Sequence, residues 1–164
     1  MKIVVTSGFG QGKTKLSAFD AALKSAGIQN YNLIYLSSII PPKVKVIKKS
    51  KYSAQKGEYG HRLYVVRAEI RSDRVGRYIA AGLGWYQNGD GSGVFVEHEE
   101  EGETKEAVRM NLERQILDSL RDLCKFRGFP FHESHAHLSI SIGAVESQAS
   151  SAIVAAVYQS QGWS

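Results

Sequence analysis

Ser37 and Ser38 stand side by side in Asn-Leu-Ile-Tyr-Leu-Ser-Ser-Ile-Ile-Pro-Pro, residues 32–42, at the end of an apolar run and just ahead of two prolines. A serine hydroxyl beside a peptide carbonyl can attack it, although the hydroxyl is a weak nucleophile until a neighbour activates it. Taken alone, two serines at a strand end are turn formers. Glu97 closes the alternation Val94-Phe95-Val96-Glu97, which puts Phe95 and Glu97 on one face of a strand. Its carboxyl has two readings. It is either the first residue of an acidic turn or a group beside an aromatic ring, where burial raises the pKa and keeps a proton ready for delivery.

Two further clusters invite chemistry. Ser7-Gly-Phe-Gly-Gln-Gly-Lys-Thr14 lies between a strand and a helix and approximates a phosphate-binding loop. That loop requires Gly, four residues, then Gly-Lys-Thr, a spacing that wraps backbone amides around phosphates. Counting back from Gly12 the required glycine falls at Ser7, so a glycine-rich connection is the simpler reading of Gly8–Thr14. His132, His135 and His137 form a His-x-x-His-x-His cluster. On a strand only His135 and His137 share a face, and Glu133 alone stands near enough to add a ligand, so no metal site is assigned and surface or interface histidines are expected.

The elements that must position these residues follow from pattern. Residues 2–6 are expected as a short buried strand cut off by Gly8, Gly10 and Gly12, followed by a helix from Lys15 to Ala26 with Thr14 as N-cap and Gly27 as stop. Asn30–Leu36 reads as a strand ending at the serine pair, and Ile40 before Pro41 is held extended. Strands are expected over 43–47, 62–70, 77–86 and 93–98, then an acidic turn Glu97–Glu103 too polar for a core. Val108, Leu112, Ile116, Leu120, Leu123 and Cys124 recur at three- and four-residue steps along a helix over 104–126. Strands over 134–144 and 150–159 finish a single domain. About seven strands and two helices make an α+β sandwich, since two helices are too few to connect so many parallel strands.

A length of 164 residues permits one substantial core. The net charge of +5 would allow an acidic partner. However, Lys43, Lys45, Lys48, Lys49 and Lys51 alternate with or flank Val44, Val46 and Ile47, as on an edge strand whose lysines discourage further pairing, so nucleic acid is not expected. No apolar run nears the roughly 20 residues that cross a bilayer, and a cytoplasmic location is expected. The one cysteine, Cys124, suits a buried helix face.

The stretch from Thr14 through Asn32-Leu-Ile to Pro42, together with Gly93-Val-Phe-Val-Glu97, its acidic turn and the following helix, resembles the pyruvoyl-dependent arginine decarboxylases. The resemblance implies a four-layer αββα sandwich with mostly antiparallel sheets. It also implies self-cleavage between Ser37 and Ser38 into fragments 1–37 and 38–164, with Ser38 converted to a covalent pyruvoyl group that takes up electrons as CO₂ leaves. Under it Asn32 assists cleavage, Glu97 donates a proton, Asp20 faces the guanidinium of L-arginine, and Leu16 and Phe95 line the apolar stem. No metal or diffusible cofactor is implied. The expected product is agmatine, and the expected assembly is a trimer or a dimer of trimers with sites between subunits. Two alternatives remain beside this one. The same chemistry could act on another amino acid, or an unprocessed chain could bind nucleotide through Gly8–Thr14.

Overall fold

Alternating apolar residues and a few well-placed caps build nine strands and two helices. The computed structural model describes all residues, 1–164. In chain order they are β1 (Lys2–Gly12), α1 (Lys15–Ala26), β2 (Asn32–Tyr35), β3 (Ile39–Ile40), β4 (Lys45–Lys48), β5 (Arg62–Ser72), β6 (Tyr78–Gln87), β7 (Gly93–Gly102), α2 (Lys105–Phe126), β8 (His137–Ala144) and β9 (Ala149–Gln161). One 3₁₀ turn, Glu133–His135, precedes β8, where the sequence suggested strand. Sheet A has the order β2-β5-β9-β1-β4 and sheet B the order β3-β7-β6-β8. Only β1–β4 and β2–β5 pair in parallel.

Three apolar layers hold four layers of structure together. Val5, Val66, Leu83, Phe95 and Val154 are among the residues filling the space between the sheets. Phe19, Ala22, Leu23 and Ala26 of α1 pack on Leu63, Ile153 and Ala155 of sheet A. Val108, Leu112, Ile116, Leu120 and Cys124 of α2 cover Val94, Val96 and Ala80 of sheet B. The molecule is therefore an αββα sandwich, and the helix stripe read from periodicity is the one that is buried.

Both ends of α1 lie where the residues placed them. The Thr14 side chain accepts from the Ser17 amide at 3.0 Å, and Gly27 takes φ 86°, a left-handed conformation that glycine adopts without strain. The glycines before the helix need correction, because they do not break the strand: β1 runs on through Gly12. Gly8 and Gly10 face α1 so closely that a Cβ would come within 2.1 Å of the Ala22 carbonyl oxygen and 2.3 Å of the Ala22 nitrogen. The missing side chains let helix and strand touch. There is accordingly no loop at Gly8–Gly12 to wrap a phosphate, and Thr14 is engaged as a cap.

A second correction concerns the acidic run. Glu97–Gly102 continues β7, paired with Tyr78–Leu83 of β6. Its charges are accommodated side by side: Gln115 donates to Glu100 at 2.6 Å, Ser72 donates to Glu101 at 2.7 Å, and Arg74 meets Glu101 at 3.3 Å. The lysine-bearing β4 is the margin of sheet A, as its alternation indicated.

Candidate active site

The link between β2 and β3 carries the serine pair from sheet A to sheet B, and pairing with β7 fixes where it lands. Ile39 lies opposite Val94 and Ile40 opposite Gly93, while the Phe95 amide donates to the Ser38 carbonyl at 2.8 Å. That register sets residue 38 opposite Phe95 and diagonal to residue 97, and the Ser38 hydroxyl donates to Glu97 Oε2 at 2.7 Å. The Ser37 carbonyl accepts the Ile39 amide at 2.8 Å, which bends the chain at Ser38 and polarises the carbonyl that a Ser38 hydroxyl would attack. A cavity of about 260 Å³ opens here, lined by Ser38, Phe95, Glu97, His98 and Ser119 among others. His98 Nε2 lies 2.7 Å from Ser119 Oγ.

Phe95 is fully buried between the sheets, whereas Glu97 is exposed, so this chain alone does not enclose the carboxyl. Tyr158 is a residue that the motifs did not single out. Its hydroxyl donates to the Ile39 carbonyl at 2.7 Å, and its ring lies 6.3 Å from that of Phe95. Burial, then the nearby Glu97 charge, push its pKa well above the usual tyrosine value, so it remains a donor. Its inward direction was readable from the alternation Ala152, Val154, Ala156, Tyr158; its partner was not.

The remaining sequence-selected residues lie elsewhere in the chain. Asn32 opens β2 and donates through Nδ2 to the Gly60 carbonyl at 2.7 Å, an oxygen that also accepts from Trp163. Asn32 stands six positions before Ser38, at the opposite end of β2, paired with Arg62 of β5. Leu16 and Asp20 are exposed on α1, on the far side of sheet A from β7. The fold thus gathers Ser37, Ser38, Phe95 and Glu97 at one margin, leaves Asp20 and Leu16 on α1 over the outer face of sheet A, and holds Asn32 on the Gly60 carbonyl at the start of β2. His137 stacks on Trp85 with centroids 5.4 Å apart, while His132 and His135 pair edge to face at 5.8 Å. No three His, Cys, Asp or Glu side chains converge on one point.

The chain is similar to pyruvoyl-dependent arginine decarboxylases of several archaea. It is 36% identical to that of Thermoplasma volcanium over 121 residues, covering 73% of this chain and 66% of the relative. It is 35% identical to that of Picrophilus torridus over 106 residues, covering 63% of this chain and 58% of the relative. It is 32% identical to that of Methanothermobacter thermautotrophicus over 133 residues, covering 81% and 82%. The chain therefore spans somewhat under two thirds of the first two relatives and most of the third. The family profile described as pyruvoyl-dependent arginine decarboxylase matches residues 2–162, which takes in both sheets, both helices and the Ser37–Ser38 link. With a match of that extent over a four-layer sandwich that sets a serine pair beside a carboxylate, the chain belongs to the pyruvoyl-dependent arginine decarboxylase family.

Proposed function

We propose that this chain is a proenzyme that cuts itself between Ser37 and Ser38 and then decarboxylates L-arginine to agmatine and CO₂. The observation that carries this reading is the Ser38 hydroxyl 2.7 Å from Glu97, in a link whose Ser37 carbonyl accepts a backbone amide. In cleavage, Ser38 Oγ bonds to the Ser37 carbonyl carbon and the peptide C–N bond breaks, leaving an ester. Loss of the residue 38 Cα proton and its Cβ–O bond releases Ser37 as the carboxyl terminus of 1–37. The dehydroalanine left at 38 takes up water and loses ammonia, which heads fragment 38–164 with a pyruvoyl group. The Ile39 amide is placed to steady the oxyanion of the first step, work worth about 10²-fold or more for one donor. Asn32 is assigned a second such donor role.

The residues present fit a pyruvoyl group at 38. Its position lines the 260 Å³ cavity beside Phe95 and Glu97, and the residue 38 carbonyl keeps its Phe95 amide partner. Once formed, the ketone supplies the sink for the electron pair freed as CO₂ departs. The rest is side-chain work. Glu97 delivers a proton to the substrate Cα. Asp20 accepts two parallel N–H bonds from the planar guanidinium, a match that ammonium or imidazole cannot imitate. Leu16 and Phe95 flank the apolar stem.

Asp20 and Leu16 reach such a site only from a neighbouring copy, which supports a trimer, or a pair of trimers, with shared sites. Leu16, Tyr35 and Ile39, with relative exposures of 69%, 53% and 48%, leave apolar surface beside both halves of the site. No helix is long and apolar enough to cross a membrane. We place the enzyme in the cytoplasm, where its small-molecule substrate is found.

Intact mass of the purified protein tests the reading. Two fragments are expected, the larger lighter by one ammonia than its sequence requires, with CO₂ released from arginine and not from histidine or aspartate. A chain that stays whole while active, or one that Ser38→Ala leaves cleaved, would overturn it.

A further inference from the structure

The largest cavity, about 460 Å³, is not the one at Ser38. It opens where the margins of the two sheets part, between β4 and β1 on one side and β8 on the other, with α2 at its rim. Elsewhere the space between the sheets is filled by aliphatic and aromatic side chains. Here the inward positions turn polar: after Ile3 and Val5, β1 presents Ser7, and β8 presents Ser139 next to Ser141, which donates to the Gly8 carbonyl at 2.6 Å. Ser7 and Ser139 keep hydroxyls turned to the cavity, on strand positions where an apolar residue would have closed it.

The charges around it are one-sided. Lys48, Lys49 and Arg109 line the cleft against a single carboxylate, Glu113, which Arg109 already engages at 3.9 Å. Lys48 donates to the Leu138 carbonyl at 2.8 Å, so its ammonium is held across the gap from the margin of one sheet to that of the other. Three cationic residues lining the cleft beside these hydroxyls suit an anion with several acceptor oxygens, and the guanidinium adds a planar fork for two of them. The volume falls in the range of about 300–1,000 Å³ common for small-molecule sites, more than a bare phosphate needs.

We propose that this cleft binds a small phosphorylated molecule, its phosphate received by Lys48, Lys49 and Arg109 and its polar body by Ser7 and Ser139. A volume of about 460 Å³ lined by hydroxyls and cationic side chains suits a compact anion. The inference is independent of the chemistry at Ser38, since none of its residues belongs to that site.

Calorimetry and thermal unfolding of the purified, assembled protein test it, with inorganic phosphate and adenosine monophosphate as probes and chloride at matched ionic strength as control. Both probes are expected to bind saturably and to raise the unfolding temperature, the nucleotide more tightly, while chloride does neither. Lys49→Gln with Arg109→Gln should weaken binding about tenfold or more, leaving ligand-free arginine turnover unchanged. A Lys49→Cys variant should react with a maleimide and be protected by adenosine monophosphate. Equal effects of phosphate and chloride, undiminished binding by the double variant, or an introduced thiol at position 49 already covered by a neighbouring copy would each overturn the proposal.

Discussion

At the residue scale, the proposed activity turns on one hydroxyl, one carboxylate and the backbone between them. Ser38 donates to Glu97, and the same carboxylate is assigned the proton that ends turnover. These two duties respond differently to Glu97→Gln. The amide oxygen still accepts the Ser38 hydroxyl, so two fragments should continue to form on denaturing gels. An amide cannot release a proton, so kcat for arginine should fall by about 10²-fold or more. Tyr158→Phe removes the donor to the Ile39 carbonyl while keeping the ring on Phe95. The loss of one hydrogen bond, about 1 kcal/mol, should slow cleavage severalfold, read as the lifetime of the full-length band. Glu97 was visible in the sequence as the end of an alternation. Tyr158 was not, because the bond that gives it a role joins residues 119 positions apart.

At the scale of elements, the clearest lesson lies in β1 and α1. The helix bounds Lys15–Ala26 were legible because capping is local chemistry, a threonine before the first turn and a left-handed glycine after the last. The strand's length was misread because glycines at positions 8, 10 and 12 resemble a loop until a helix is laid against them. Gly10→Ala sets a methyl 2.3 Å from the Ala22 backbone nitrogen, which cannot yield without moving α1. It should lower stability by about 3 kcal/mol in urea titrations. Gly89→Ala, with nothing within 4 Å, should stay within about 0.5 kcal/mol of the parent. Likewise the acidic end of β7 was read as a turn because the acceptors were counted and the donors that satisfy them, Ser72, Arg74 and Gln115, lie on other elements.

At the scale of the whole molecule, titration and assembly give the tests. Burial raises the pKa of Tyr31, Tyr52 and Tyr158 above the ordinary value of 10.0. Between the unfolded and folded values the unfolded chain releases protons that the folded chain keeps, so stability holds below about pH 10 and falls as pH rises beyond it. Thermal melts should show that fall, and Tyr158→Phe should flatten it. Glu58, held below the usual carboxylate range first by the Tyr31 hydroxyl, has the opposite sign: its contribution is present above the unfolded value and disappears as pH drops through the folded one. Assembly has its own test. If Asp20 serves the Glu97 site of a neighbour, mixing Asp20→Ala with Glu97→Gln chains through unfolding and refolding should restore activity that neither has alone. A mixture as inactive as its parts would confine each site to one chain.

By itself the sequence determined what local chemistry can determine: which residues cap α1, which stripe of α2 is apolar, that β4 is a margin, and that a hydroxyl adjoins a peptide bond it could attack. Resemblance extended this to a family and to the carboxylate at 97. Only the tertiary structure decided that β3 pairs with β7, and that pairing is what sets residue 38 against residue 97. The physical reason is that strand register depends on side chains packed from both sheets, a sum over distant partners that no window of sequence contains. The same sum left Asp20 on the outer face of sheet A and opened a basic cleft between β1 and β8.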